Sequence, residues 1–234
     1  MREISGNNNK KDGKQSQLNF VRQPEGRFCV KRISMSQYRL KLIYFPHMGR
    51  EEIARVMLAY AGMEYEDVRI PYAKWPEMKP TMPFSQLPVL EVNGHTICQS
   101  GAIVRYIAKL CGFNGSDFIQ EAKADMICEC CFDIMMRFPW TEENEQKKKE
   151  VTEKLLSGSI PDSLKQLEVM LTNGGEYFVG KLTYADVALM NAGQYLLEQK
   201  EDILDATPKL KEHLRKIENI PSIAKWLSVR PGGK

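Results

Sequence analysis

Leu40-Lys41-Leu42-Ile43-Tyr44-Phe45, followed by Pro46-His47-Met48-Gly49-Arg50, decides how this chain is read. The first six residues are mostly apolar and aromatic and end in turn-forming residues, the pattern of a short buried strand. Pro46 and Gly49 interrupt it, and Arg50-Glu51-Glu52 opens an amphipathic helix. Tyr44 therefore sits at the C-terminal end of a strand, just before a strand-to-helix turn. Sheets of α/β proteins hold their ligands in crevices at strand C-terminal ends. On position alone, a half-buried strand tyrosine is the favoured reading of Tyr44.

Outward from this stretch the pattern stays regular. Residues 50–62 predict a helix with Ile53, Val56, Met57 and Tyr60 on one face, stopped by Gly62. Tyr65 to Ile70 predicts a second strand, and the intervening helix permits a βαβ crossover. An irregular segment with Trp75 and Lys79 follows. Val89–Val92 and His95–Cys98 read as strands joined by Asn93-Gly94, a strong hairpin signal. A helix from Gln99 to Leu110 completes a β-α-β…β-β-α half. After a linker, Gly112 to Ser116, the chain reads as all helical. Helices are expected over about 117–138 and 144–171, separated by Pro139 and Glu142-Glu143. Thr183-x-x-Asp186 has the form of a capping box before an apolar run. Pro208 and Pro221 open shorter helices over 208–218 and 221–228. No internal repeat is visible.

Composition excludes several classes of function. The 234 residues are 43% hydrophobic and 27% charged, as in ordinary soluble globular proteins. No apolar run approaches the length of a membrane span. Residues 1–34 carry eight Lys/Arg against three Asp/Glu, and 35–234 carry 25 against 27. The basicity thus belongs to the polar N-terminal tail, and nothing argues for nucleic-acid binding. The tail, residues 1–37, lacks apolar periodicity and is expected to be disordered. Its acidic residues and Asn/Lys tract do not suit a transit peptide, and no secretory signal is visible. Cys128 and Cys131 are spaced C-x-x-C but fall in a helical pattern, with no second pair and no nearby histidine. Together with Cys29, Cys98, Cys111 and Cys130 they read as thiols of a reducing, cytoplasmic compartment rather than a disulfide framework.

Five segments, taken in order, resemble one family. They are Tyr44-Phe45-x-x-x-Gly49-Arg50, Tyr65-Glu66-Asp67, Trp75-Pro76-Glu77-Met78-Lys79, Pro83 to Leu90, and Gln99-Ser100-Gly101-Ala102-Ile103. The series resembles the glutathione transferases, most closely the sigma class, which includes haematopoietic-type prostaglandin D synthases and the S-crystallins. The resemblance runs from about Tyr38 to Pro231, and Met35-Ser36-Gln37-Tyr38 looks like a usual family start, which makes Met35 an expected alternative initiation site. It implies an α/β thioredoxin-like glutathione-binding domain over 38–112 and an all-α domain over 117–234, usually as a homodimer.

The resemblance also implies roles residue by residue. Tyr44 matches the catalytic tyrosine whose hydroxyl donates to the glutathione sulfur, and Arg50 the arginine that supports the thiolate. Gln99 and Ser100 match the pair holding the γ-glutamyl end; a plain N-cap serine remains the alternative for Ser100. Leu87 would pair its backbone with the cysteinyl unit. The Leu87-Pro88 bond is cis in the family, although trans is the default from sequence. Trp75 and Lys79 match contacts to the glycyl end; a hydrophobic-patch residue and an exposed charge are their alternatives. Asp133 matches an aspartate reaching the neighbouring subunit's ligand, or is a buried or paired charge. Phe45, His47, Met135 and Trp140 are candidates for the wall of a hydrophobic-substrate cleft, with core packing equally plausible for the last two. His47 shows no acid partner.

Glutathione is the expected co-substrate and no metal is expected, since Phe132-Asp133 stands where the family's metal-using members carry paired aspartates. Met48 replaces the first arginine of the family's Arg-Gly-Arg. The implied activity is conjugation of glutathione to hydrophobic electrophiles, with prostaglandin H to D isomerisation as a narrower variant. An S-crystallin-like structural protein is the rival reading. A glutaredoxin-like oxidoreductase is disfavoured, because no cysteine lies between Tyr44 and Arg50.

Overall fold

The apolar run that marks Leu40–Tyr44 as a buried strand is realised in the structure, a computed structural model that describes residues 18–22, 28–32 and 38–231. Strand β1 (Leu18–Arg22) and strand β2 (Phe28–Arg32) form a separate antiparallel pair, with Phe20 opposite Val30. Aromatic and β-branched residues in both segments favour extended pairing. The expectation of disorder over 1–37 falls, apart from these two segments, on residues outside the described ones.

A second sheet carries the candidate site. Its strands are β3 (Leu40–Tyr44), β4 (Glu66–Arg69), β5 (Val89–Val92) and β6 (His95–Cys98), in the order β4-β3-β5-β6. β3 and β4 run parallel, with Leu42 opposite Asp67, and helix α1 (Glu52–Ala61) between them. Parallel neighbours require such a crossover. β3–β5 and β5–β6 are antiparallel, and the latter turns at Asn93-Gly94, both at positive φ, as a two-residue hairpin demands. A one-turn helix, α2 (Trp75–Met78), lies in the connection from β4 to β5. Helix α3 (Ser100–Cys111) follows β6. Leu42, Leu90, Ile53, Met57, Ile103 and Ile107 are buried between sheet and helices.

The remaining chain is helical, as expected: α4 (Phe118–Met136), α5 (Glu145–Ser157), α6 (Ser159–Gly174), α7 (Tyr184–Gln199), α8 (Pro208–Glu218) and α9 (Pro221–Val229). Where one helix was expected over 144–171, the structure has two. The break falls at Gly158, and Pro161, in the first turn of α6, has no N–H to continue the ladder back to Ser157. α7 is the central helix: it packs on α4 and α8, and on α1 and α3 of the sheet domain. Among the described residues, no helix is long and apolar enough to cross a membrane.

The capping box at the start of α7 forms, and it is wholly interior. Asp186 is fully buried and accepts from the Thr183 N–H (2.7 Å), the Thr183 hydroxyl (3.2 Å), the Phe178 N–H (3.2 Å) and His213 Nε2 (2.9 Å). One carboxylate thus ties the approach to α7, its N-cap and α8. Its removal strands several buried donors, each costing about 1–3 kcal/mol. Asp186→Ala is therefore expected to lose about 3 kcal/mol or more of unfolding free energy in urea titration, and Asp186→Asn less. Unchanged stability would refute this account of the element.

Candidate active site

Tyr44 ends β3 with its ring buried at 7% exposure. The ring meets Phe45 and His47 edge-on, at centroid distances of 5.6 and 5.2 Å. The guanidinium of Arg55 lies 5.9 Å from its ring centre. Burial, and then the nearby Glu51 carboxyl, push the phenol up to about 12, while Arg50, its backbone N–H and Arg55 pull the other way. Tyr44 therefore keeps its proton near neutral pH and is equipped to donate a hydrogen bond.

The turn after β3 is tightly built. Gly49 has φ +53°, and a Cβ there would lie 2.8 Å from both the hydroxyl and Cε1 of Tyr44 and 2.9 Å from the His47 ring. Only glycine fits both demands. Asn191 of α7 donates to the Gly49 carbonyl at 2.9 Å, fixing the turn from the helical side. Arg55, fully buried, reaches Asp67 at 3.2 Å and Glu52 at 3.4 Å, and donates to the carbonyls of His47 and Met48.

Beside this turn, Arg50, Leu87, Pro88, Gln99 and Ser100 come together around one small cleft. These five were expected at a common site. The Leu87-Pro88 peptide is cis, as the resemblance implied. Ser100 is the first residue of α3 and is not its cap: Gln99 holds the cap position at φ +75°, and the Ser100 hydroxyl is buried without a hydrogen-bond partner. A helix N-terminus, an unpartnered buried hydroxyl and an arginine alongside are features that favour a negative charge.

Other expected residues lie off this lining. Trp75, half-buried, meets Phe45 edge-on at 5.3 Å, so the pair belongs to an aromatic cluster with His47 and Tyr72. Lys79 is exposed in a short turn after α2. Asp133 is exposed on α4. Met135 is buried, and Trp140, half-exposed, donates its indole N–H to the Met135 carbonyl at 2.7 Å while packing on Phe138 and Tyr195. The four hydrophobic-wall candidates thus divide into two clusters, Phe45 with His47 and Met135 with Trp140. Cys128 and Cys131 are buried, and burial raises both thiols, so neither is poised to react.

Sequence reasoning missed several participants. Phe84, Gln86 and Cys98 also line the cleft. Tyr72 hydrogen-bonds His47 Nδ1, a partner 25 residues away that no local pattern signals. Glu51 reads in sequence as part of a helix opening, yet it is completely buried. Gly49→Ala is expected to displace Tyr44 and cost about 2 kcal/mol in urea unfolding, with loss of ligand binding in the adjacent cleft; a variant of full stability and binding would overturn the steric argument.

Two family models match the chain, the glutathione S-transferase N-terminal domain over residues 40–109 and the glutathione S-transferase C-terminal domain over residues 131–230. The hematopoietic prostaglandin D synthase of Gallus gallus is 42% identical over 192 residues, covering 82% of this chain and 96% of that protein. Probable glutathione S-transferase 7 of Caenorhabditis elegans is 36% identical, with 82% and 96% covered. Among solved structures, rat hPGDS complexed with a quinoline superposes with a TM-score of 0.79 at 38% identity, covering 82% of this chain and 98% of that one. A helix-crossed mixed sheet with a small polar cleft, joined to an all-helical domain, and these matches along both halves lead to one conclusion: the chain belongs to the glutathione S-transferase family.

Proposed function

We propose that the cleft at the N-terminus of α3 binds glutathione and that Tyr44 holds its sulfur as thiolate for attack on hydrophobic electrophiles. The observation that carries this reading is the convergence of Arg50, Leu87, Gln99 and the unengaged Ser100 hydroxyl beside the turn that fixes Tyr44. In this reading Ser100, Gln99 and the α3 N–H groups hold the γ-glutamyl carboxylate. The backbone of Leu87, presented by Pro88, pairs with the cysteinyl unit, and Trp75 and Lys79 meet the glycyl end. Asp133 reaches the ligand of a second subunit, which makes the working enzyme a homodimer. The proposed compartment is the cytoplasm, where free thiols persist.

The chemistry is modest in size. A free thiol titrates at roughly 8.5. Lowering that by one or two units needs about 1.4–2.8 kcal/mol, the scale of one hydrogen bond to a charged acceptor. Tyr44 suits the task because its own proton is held so firmly, and Arg50 adds favourable charge. No metal is required by this scheme. Among the second substrates, the names of the similar proteins favour a specific one: several are prostaglandin D synthases. Prostaglandin H isomerisation by the same thiolate is accordingly the second reading, within a sigma-class enzyme. Phe45, His47, Met135 and Trp140 remain the candidate wall for either substrate.

The deciding experiment follows the ultraviolet thiolate absorbance of bound glutathione against pH. Wild type is expected to ionise the thiol one to two units below its free value, and Tyr44→Phe to lose most of that shift with about a 10- to 100-fold fall in turnover. Binding without ionisation would favour a crystallin-like protein, and no binding would refute the site. A panel of electrophiles run beside prostaglandin H separates the two substrate readings.

A further inference from the structure

Behind Ser100 lies a carboxyl group to which the transferase scheme gives no task. Glu51 closes the short Gly49–Glu51 turn and is fully buried, and neither of its oxygens has a hydrogen-bond partner. The Ser100 hydroxyl faces it, near enough to interact but short of a formed hydrogen bond, and is likewise unpartnered. Ser100, 5% exposed, lines the cleft together with Arg50, and Glu51 does not. One serine therefore stands between the buried carboxyl and the ligand space.

Two arginines influence Glu51 without hydrogen-bonding to it. Arg50 flanks it on its own turn and Arg55 faces it from α1; Nε and Nη1 of Arg55 are engaged with Asp67 and Glu52, and its buried Nη2 has no partner. Tyr44 faces it from β3 and the Cys128 thiol from α4. An unpaired buried carboxylate is costly, so the group favours its neutral form. Burial pushes it up to about 8, against the pull of Arg55, Ser100 and Arg50.

The polarity of the serine follows from which form is present. A neutral carboxyl can donate its O–H to Ser100 Oγ, leaving the serine proton free to point outward at an anion. A carboxylate can only accept, so it draws the serine proton inward and turns lone pairs toward the cleft. The negative charge then also opposes a ligand carboxylate or thiolate nearby. We propose that Glu51 is a proton-dependent positioning residue for glutathione, competent when neutral and inhibitory when ionised, acting through the Ser100 hydroxyl. This rests on the assignment of the cleft to glutathione.

The sign follows from linkage. The bound state requires the proton, so affinity is fully present below the titration of Glu51 and falls as pH rises through it, by up to about tenfold per unit. Folding stability moves the same way. The folded protein holds the proton more tightly than the unfolded chain, so the contribution of Glu51 declines from about pH 5 to about pH 8.

The test uses S-hexylglutathione, whose sulfur cannot ionise, titrated calorimetrically into the full-length protein between about pH 6 and pH 9. Glu51→Gln keeps the shape, can donate from its amide and never ionises. Wild type is expected to lose about tenfold more affinity than Glu51→Gln across this range, because titration of the ligand's own amine is common to both. Superimposable profiles would overturn the role of Glu51 and leave the glutathione assignment standing. Failure of wild type to bind at any pH would overturn that assignment and the proposal with it. A second measurement needs no variant: near pH 8, adding S-hexylglutathione to wild type is expected to increase the infrared band of protonated carboxyl, and no increase would refute proton uptake by Glu51.

Discussion

The guanidinium of Arg55 is completely enclosed, and the rest of the site depends on where it points. Its partners are Asp67 on β4, Glu52 on its own helix, and the carbonyls of His47 and Met48 in the turn. A buried cation is tolerated only when surrounded this way. Through Nε and Nη1, Arg55 pins the end of β3 to β4 and to α1, and so sets the path of the turn carrying Tyr44, Gly49 and Arg50, while its buried Nη2 has no hydrogen-bond partner. Breaking such a buried pair typically costs about 3–5 kcal/mol, a large share of the margin of a whole domain.

The helical domain holds the same turn from its far side. Glu52 accepts from the Trp226 indole at 2.7 Å and pairs with Arg230 at 3.3 Å, linking the start of α1 to α9 and the segment after it. Asn191 supplies the bond to Gly49. The site is therefore built by one domain and braced by the other, which explains why acidic and basic residues collect around the first turns of α1 rather than on the surface. Glu51 is the exception, a buried acid that this network leaves unpaired.

The two walls of the cleft have different physical origins. One side is backbone and helix dipole, from the cis Leu87-Pro88 turn and the N-terminus of α3, with Gln99 held at positive φ. The other is side-chain charge, from Arg50, whose guanidinium lies 5.9 Å from the centre of the Phe132 ring. Next to them stands an aromatic cluster of Phe45, His47, Tyr72 and Trp75. A polar cleft with an arginine at its edge thus stands near an apolar, aromatic surface, which is the kind of lining that small-molecule sites combine.

Sequence by itself determined what local chemistry can determine. The strand ending at Tyr44, the glycine turn, the Asn93-Gly94 hairpin, the capping box at Thr183 and Asp186, and the order of elements all follow from periodicity and from residues with restricted backbone choices. The grouping of Arg50, Leu87, Pro88, Gln99 and Ser100 was legible only because their order and spacing resemble a family's. What depended on contacts between distant residues was not legible. The break at Gly158 was missed because apolar periodicity runs through it. The hydrogen bond between His47 and Tyr72, the engagement of Trp140 with Met135, and the burial of Glu51 are decided by which surfaces meet, and no pattern within a few residues records that. Glu51 shows the difference most plainly: in sequence it is an acidic residue at a helix start, where exposure is the rule, and only the packing of α1, α3 and α4 around it removes the water that would have kept it an ordinary carboxylate.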